Sequence, residues 1–119
     1  MNAKRSIVIS GIVMFTASLS AFPQDGPSAE KGKALFTTAS PKCSMCHSIA
    51  GEGNAKNPLD GVGDKLSADD LKAWIRTPKE MAEKVKSTAK PPMMAYPKEK
   101  LSDQDLDSLV AYLLSLKKK

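Results

Sequence analysis

The sequence is short of the residue types that build most metal and redox centres. Its 119 residues contain one His and two Cys, whereas a structural zinc site needs about four Cys or His ligands. Aromatic residues are also scarce, with one Trp, two Tyr and three Phe. Proteins that bind nucleic acids usually present a dense basic stripe and aromatic stacking platforms. The net charge of +5 comes mainly from scattered lysines, so we expect neither a zinc site nor a nucleic-acid partner.

The sequence also lacks an apolar run long enough to be typical of a membrane span. Thirteen uncharged residues, 7–19, follow Lys4 and Arg5, and a spanning helix needs about 20. A short basic segment, an apolar run and small residues at Ser20 and Ala21 are typical of a secretory signal peptide. We therefore predict a signal peptide over 1–21, one domain over 22–119 and a periplasmic location without stable membrane insertion. An uncleaved N-terminal anchor is the alternative.

Cys43, Cys46 and His47 form the pattern C-x-x-C-H within CSMCH. This pattern is the attachment signature of haem c, in which two thiols add to the two vinyl groups and the adjacent His becomes an axial iron ligand. A disulfide between Cys43 and Cys46 would close too short a loop to stabilise the chain much. A thioredoxin-like redox pair would need a βαβ setting, which the sequence does not show. We therefore predict one covalently bound haem c.

The hydrophobic pattern predicts an all-α fold with four helices and two long loops. Ser28 precedes a helix that we expect to reach about Thr38. Ser67 with Asp70 and Thr77 with Glu80 are capping-box pairs, and they predict helices over 68–76 and 78–86. Ser102 with Asp105 is a third such pair, ahead of the clearest amphipathic run in the chain, 103–116. No convincing strand appears, and 39–64 and 87–100 are predicted to be loops.

A second axial ligand has to come from a residue other than His, because His47 is the only one. Methionine is the usual alternative, and its thioether raises the reduction potential. Met81 lies in a predicted helix, where packing in the core is the simpler interpretation. Met93 and Met94 lie in the Pro-flanked segment KPPMMAYP, where proline restricts the backbone. One of this pair is the predicted ligand, and the other is predicted to pack against the haem.

The order of these features resembles the class I cytochrome c family over 30–116. The resemblance implies a cytochrome c fold, in which about four helices and long loops surround one haem. It also implies that the first and last helices cross, with Gly32 and Phe36 meeting Leu109 and Tyr112.

The family resemblance further implies roles for three residues outside the attachment motif. Pro58 resembles the proline whose carbonyl accepts a hydrogen bond from the axial His, which would orient the ring. Trp74 resembles an aromatic residue that packs near the haem, although ordinary core packing is an equally good interpretation. Met93 lies three residues before Tyr96 and matches the family's axial Met more closely than Met94, which remains the alternative.

These features predict a monomeric electron carrier and not an enzyme, because an iron with His and Met on its two faces has no open position for a substrate. Its partners would be redox proteins that donate and accept single electrons. Six lysines lie near the Met segment in sequence: Lys79, Lys84, Lys86, Lys90, Lys98 and Lys100. If exposed, they could dock acidic partners, or they could be ordinary surface charges. The alternatives are a haem-carrying subunit of a larger complex, or a sensor or enzyme in which a labile Met lets a small ligand bind.

Overall fold

The computed structural model describes residues 26–119, so the predicted signal peptide lies outside the described residues. Four α-helices follow one another in the order α1 (Ala29–Thr38), α2 (Ala68–Arg76), α3 (Pro78–Lys84) and α4 (Asp103–Ser115). Short 3₁₀ turns lie at Cys43–Met45 and Val62–Asp64. The predicted all-α fold class is confirmed, with long irregular segments before α2 and between α3 and α4.

All four helices begin where the sequence predicted, and a serine side chain caps three of them. The Ser28, Ser67 and Ser102 hydroxyls accept hydrogen bonds from backbone N–H groups three residues later, each at 3.1 Å. These bonds satisfy donors that a helix start would otherwise leave open.

Thr77 does not make the predicted capping box. It ends α2 as well as preceding α3, and its hydroxyl donates to the carbonyl of Ala73 at 3.2 Å. The hydroxyl therefore serves the end of α2 rather than the start of α3, and Pro78 begins α3 without a side-chain cap. The helix ends at Lys84, two residues before the predicted limit, and Lys86 adopts a positive φ of 52°.

A small β-hairpin, which the sequence did not predict, follows the attachment motif. Its strands β1 (Ser48–Ile49) and β2 (Glu52–Gly53) are antiparallel, with Ser48 opposite Gly53. Each strand is only two residues long, which is too short to show the alternation by which strands are recognised in sequence.

The core lies mainly where α1 and α4 cross. Gly32 packs directly on α4, so that a Cβ at this position would overlap the Ser108 carbonyl and lie 2.7 Å from Tyr112 Cβ. Phe36 and Leu109 belong to the same buried cluster. The predicted crossing of the first and last helices is present, with Ser108, which the sequence did not point to, as the residue opposite Gly32.

Candidate haem site

The attachment motif forms one tight turn immediately before β1. Residues Cys43–Met45 adopt a 3₁₀ conformation, and the carbonyl of Cys43 accepts hydrogen bonds from the N–H groups of Cys46 at 3.1 Å and His47 at 3.0 Å. Cys43 is half-buried and Cys46 is exposed, and both thiols are free. The turn therefore presents two thiols and an imidazole from one short segment, which is the donor set that covalent haem attachment needs.

His47 is oriented by a backbone carbonyl. Its Nδ1 lies 3.1 Å from the carbonyl oxygen of Asn57. A carbonyl only accepts hydrogen bonds, so Nδ1 carries the proton of this bond, and in the neutral imidazole Nε2 would keep the lone pair that can bind iron. Such a bond fixes the ring and makes the imidazole a stronger donor.

The acceptor is Asn57 and not Pro58, so the role that the family resemblance implied for the Pro58 carbonyl is corrected. Ser48 forms a parallel bridge with Pro58. In this bridge Ser48 N donates to Asn57 O at 3.3 Å, and Leu59 N donates to Ser48 O at 2.8 Å. The polar groups of the residues on either side of Pro58 point toward the motif, so the carbonyl of Pro58 itself points away.

Two asparagine side chains tie the attachment turn to the loop that follows it. Asn57 Nδ2 donates to the Cys46 carbonyl at 3.1 Å, and Asn54 Nδ2 donates to the Met45 carbonyl at 3.1 Å. The sequence did not single out these residues, because asparagine is common in any loop. Their amides satisfy carbonyls of the turn, so they help to hold the two thiols in place.

Cys43 and Met93, which are far apart in sequence, line the same small apolar cavity. Its volume is about 20 Å³, and its walls are Ala39, Cys43, Ile75, Met93, Tyr96, Leu101 and Leu109. The cavity is much smaller than a porphyrin. Because its lining includes both Cys43 and Met93, it shows where the attachment turn and the Met segment meet. Met94 does not line it and is 55% exposed, whereas Met81 is 8% exposed and belongs to the core.

Tyr96 joins the Met segment to the attachment turn. Its hydroxyl donates to the carbonyl of Pro41 at 2.7 Å, and it also contacts the Cys43 thiol. Burial, together with the neighbouring Cys43, raises the pKa of Tyr96 to about 12. Burial likewise raises the pKa of the Cys43 thiol above its ordinary value, despite the hydrogen bond with Tyr96. Both groups are therefore neutral near pH 7, and this part of the site carries no charge.

Trp74 is half-buried on α2, beside the cavity-lining Ile75, and is not itself one of the cavity residues. Its predicted contact with the haem stays a prediction. A wider groove of about 590 Å³ lies between α1, the hairpin and Tyr112. Its lining includes Ser44, between the two cysteines of the motif, but neither cysteine, nor His47, nor Met93, so it adjoins the attachment turn without containing any of the predicted haem-binding residues.

Within residues 26–119 no cluster of three or more His, Cys, Asp or Glu is arranged to hold a metal ion. Within the same residues no helix has both the length and the apolar character needed to cross a membrane.

Comparison with known proteins places nearly all of the described residues in one family. The model of the family named "Cytochrome c" matches residues 29–117. The chain is 33% identical over 98 residues to a protein named cytochrome c oxidase subunit 2 from Alkalihalophilus pseudofirmus, with 75% of this chain and 26% of that protein covered. The chain thus spans about a quarter of the length of that curated relative.

A solved structure of SoxXA from P. pantotrophus has a similar fold. The TM-score is 0.56 at 23% identity, and the match covers 80% of this chain and 85% of that one. This likeness supports the fold, and the family match covers both the attachment motif and the Met segment. The chain therefore belongs to the cytochrome c family.

Proposed function

We propose that this chain is a periplasmic single-electron carrier with one haem c, attached through Cys43 and Cys46 and ligated by His47 and Met93. The observation that supports the ligand pair best is the cavity that Cys43 and Met93 share. Met93, the one half-buried methionine of the Pro-rich segment, lies next to the attachment turn in this cavity.

When bound, the haem supplies a one-electron couple between ferrous and ferric iron. The residues of the chain position it and shield it. Asn57 orients the imidazole of His47, and the thioether of Met93 would favour the reduced state. The apolar side chains of Ile75, Leu101 and Leu109 exclude water from the Met93 side. If His47 and Met93 both bind the iron, it would have no free position for a substrate, so the role that we propose is transfer of electrons and not catalysis.

The choice between Met93 and Met94 is tested by single alanine variants of the holoprotein. Ferric haem with a thioether ligand has a weak absorption band in the far red. Met93→Ala should abolish this band, while Met94→Ala, the matched control, should keep it. Loss of the band in Met94→Ala alone would contradict the assignment, and its persistence in both variants would move it to Met81.

Covalent attachment is tested by the mass of the denatured chain. The wild-type chain produced with a cytochrome maturation system should carry the mass of one haem, and Cys43→Ala with Cys46→Ala should carry none. A wild-type chain of unmodified mass would refute the proposed function. The same intact-mass measurement on exported protein locates the cleavage site, which we expect near residue 21.

The partners that we propose are redox proteins with acidic docking surfaces. The six lysines near the Met segment are all exposed, and Lys98 is 2.7 Å from Asp103 in an ion pair. A positive surface of this kind increases the rate of encounter with an anion, and salt screens the effect. Oxidation of the reduced protein by an anionic metal–cyanide complex should therefore slow as ionic strength rises. Lys84→Glu should weaken that dependence more than Lys33→Glu, which lies on α1 and outside the group of six lysines.

A second candidate role is that of a haem-carrying subunit or domain of a larger oxidase assembly. The observation that favours it is the similarity to a protein named as an oxidase subunit, of which this chain covers 26%. Co-purification from native membranes and soluble extracts distinguishes the two roles. A free carrier should elute alone and at the size of a monomer, whereas a subunit should elute with its complex.

A further inference from the structure

The segment that carries Met93 makes few buried contacts. Across 85–100, the stretch between α3 and Leu101, Tyr96 is the one buried residue, with 6% of its surface exposed. Met93 is half-buried and its neighbours Pro92 and Met94 are exposed. The placement of Met93 therefore depends heavily on what holds Tyr96, three residues further along the chain.

The backbone of Tyr96 is held on both sides by the last turn of α2. Its N–H donates to the Ile75 carbonyl at 2.9 Å, and its carbonyl accepts from Arg76 Nη1 at 2.6 Å. The same nitrogen also donates to the Leu101 carbonyl at 2.7 Å, and Nη2 lies 3.0 Å from the Asp103 carboxylate. The Arg76 side chain is only 18% exposed. A rigid guanidinium that donates to several fixed acceptors at once holds them in one geometry.

The side chain of Tyr96 reaches the opposite wall of the site. Its ring lines the cavity with Cys43 and Met93, and its hydroxyl donates to the Pro41 carbonyl at 2.7 Å. Pro41 lies two residues before Cys43. One buried residue thus links the end of α2, the Met segment and the approach to the attachment turn. A phenylalanine would fill the same space but could not make the link to Pro41.

We propose that Tyr96 is a positioning residue for the axial Met93, and that its hydroxyl bond to Pro41 and the Arg76 clamp on its carbonyl keep the thioether within reach of the iron. This inference rests on the proposed function, since it needs a Met-ligated haem. Loosening either link increases the small fraction of molecules in which the sulfur has left the iron. An added ligand binds only to that open fraction, so its apparent affinity rises in proportion.

The test measures the binding of imidazole to the ferric holoprotein by visible absorption. Removing the hydrogen bond from the Tyr96 hydroxyl to the Pro41 carbonyl should raise the apparent affinity of Tyr96→Phe for imidazole about fivefold. Arg76→Lys keeps the positive charge but loses the planar guanidinium that donates to several acceptors at once. It should therefore also raise the apparent affinity for imidazole. Tyr112→Phe is the matched control, because it removes a hydroxyl on α4 outside the cavity. Its affinity should stay within about twofold of that of the wild type.

A merely structural role for Tyr96 would lower the denaturant midpoint of the whole protein without changing imidazole affinity under native conditions. That result, or an equal increase in Tyr112→Phe, would overturn the inference. If Tyr96→Phe failed to retain haem, Arg76→Lys would decide by the same criterion. A wild-type protein with covalent haem but no thioether band would overturn the Met93 assignment and this inference together. If the wild-type protein has the thioether band, and if Tyr96→Phe and Arg76→Lys bind imidazole as the wild type does, this inference alone would be overturned.

Discussion

Replacing Gly32 with alanine tests the helix crossing on which the rest of the fold depends. An added Cβ would overlap the carbonyl of Ser108 and lie 2.6 Å from its carbonyl carbon and 2.7 Å from Tyr112 Cβ. Two of these three atoms belong to the backbone of α4, which cannot rotate away as a flexible side chain could. Relief therefore requires α1 and α4 to move apart.

Two opposing effects decide the size of the change. Alanine is the better helix former, and it should stabilise the interior of α1 by about 1 kcal/mol over glycine. Overpacking a tight contact costs about 1–3 kcal/mol, and we expect the upper end because the obstructing atoms are backbone. The net loss should be about 2 kcal/mol, which lowers the melting temperature of a domain of this size by about 10 °C.

The measurement is guanidinium unfolding of the holoprotein, followed by circular dichroism, for Gly32→Ala and two controls. Ala34→Gly, at an exposed position of the same helix, measures the local helix propensity and should lose about 1 kcal/mol. Gly26→Ala adds a Cβ where nothing lies within 4 Å and should be close to neutral. If Gly32→Ala were as stable as the wild type or more stable, helix propensity would outweigh the contact and the close crossing would be wrong.

Three smaller perturbations test other contacts, each by denaturant unfolding. Ser108→Ala leaves the Ser28 N–H without its acceptor at 3.2 Å and should cost about 1 kcal/mol; no loss would mean that water replaces the bond. Gly61 has a φ of 72°, so Gly61→Ala should cost about 1–2 kcal/mol and Gly61→Asn less. The hydrogen bond from Lys31 lowers the pKa of Asp105 below its ordinary 3.8. The Lys31–Asp105 pair therefore stabilises the protein fully above pH 3.8, the pKa of Asp105 in the unfolded chain. This stabilisation is lost as the pH falls through the lower pKa of Asp105 in the folded protein. Asp105→Asn should lose a few tenths of a kcal/mol at pH 7 and fall less steeply with acid than the wild type.

The helices could be predicted well from sequence because their signals are local. Ser67 and Ser102 cap helices at the predicted positions, since a hydroxyl and an N–H three residues later are brought together by one turn of backbone. Thr77 shows the limit of such reasoning. It lies between two helices, and its hydroxyl donates to Ala73 behind it, a competition that a pattern of residue types does not resolve.

The accessory residues of the site could be predicted less well, because their roles depend on backbone direction. Family resemblance pointed to Pro58 as the acceptor for His47, but the bridge between Ser48 and Pro58 turns the Asn57 carbonyl toward the imidazole. A register difference of one residue is invisible in a loop without periodicity. In the sequence, Arg76 resembles an ordinary surface charge at the end of an amphipathic helix. Only the folded structure shows that it donates hydrogen bonds to the carbonyls of Tyr96 and Leu101.

The sequence by itself predicted the chemistry that we propose for this protein. Two thiols, an adjacent imidazole and no other histidine predicted a covalent haem with a thioether ligand. The hydrophobic period and the capping residues predicted where the helices begin. The tertiary structure alone decided which distant residues meet: Ser108 against Gly32, Asn57 against His47, and Tyr96 between Pro41 and the end of α2. The physical reason is that thiol addition and capping are local, whereas the selection of one methionine depends on contacts between segments that only the packed core brings together.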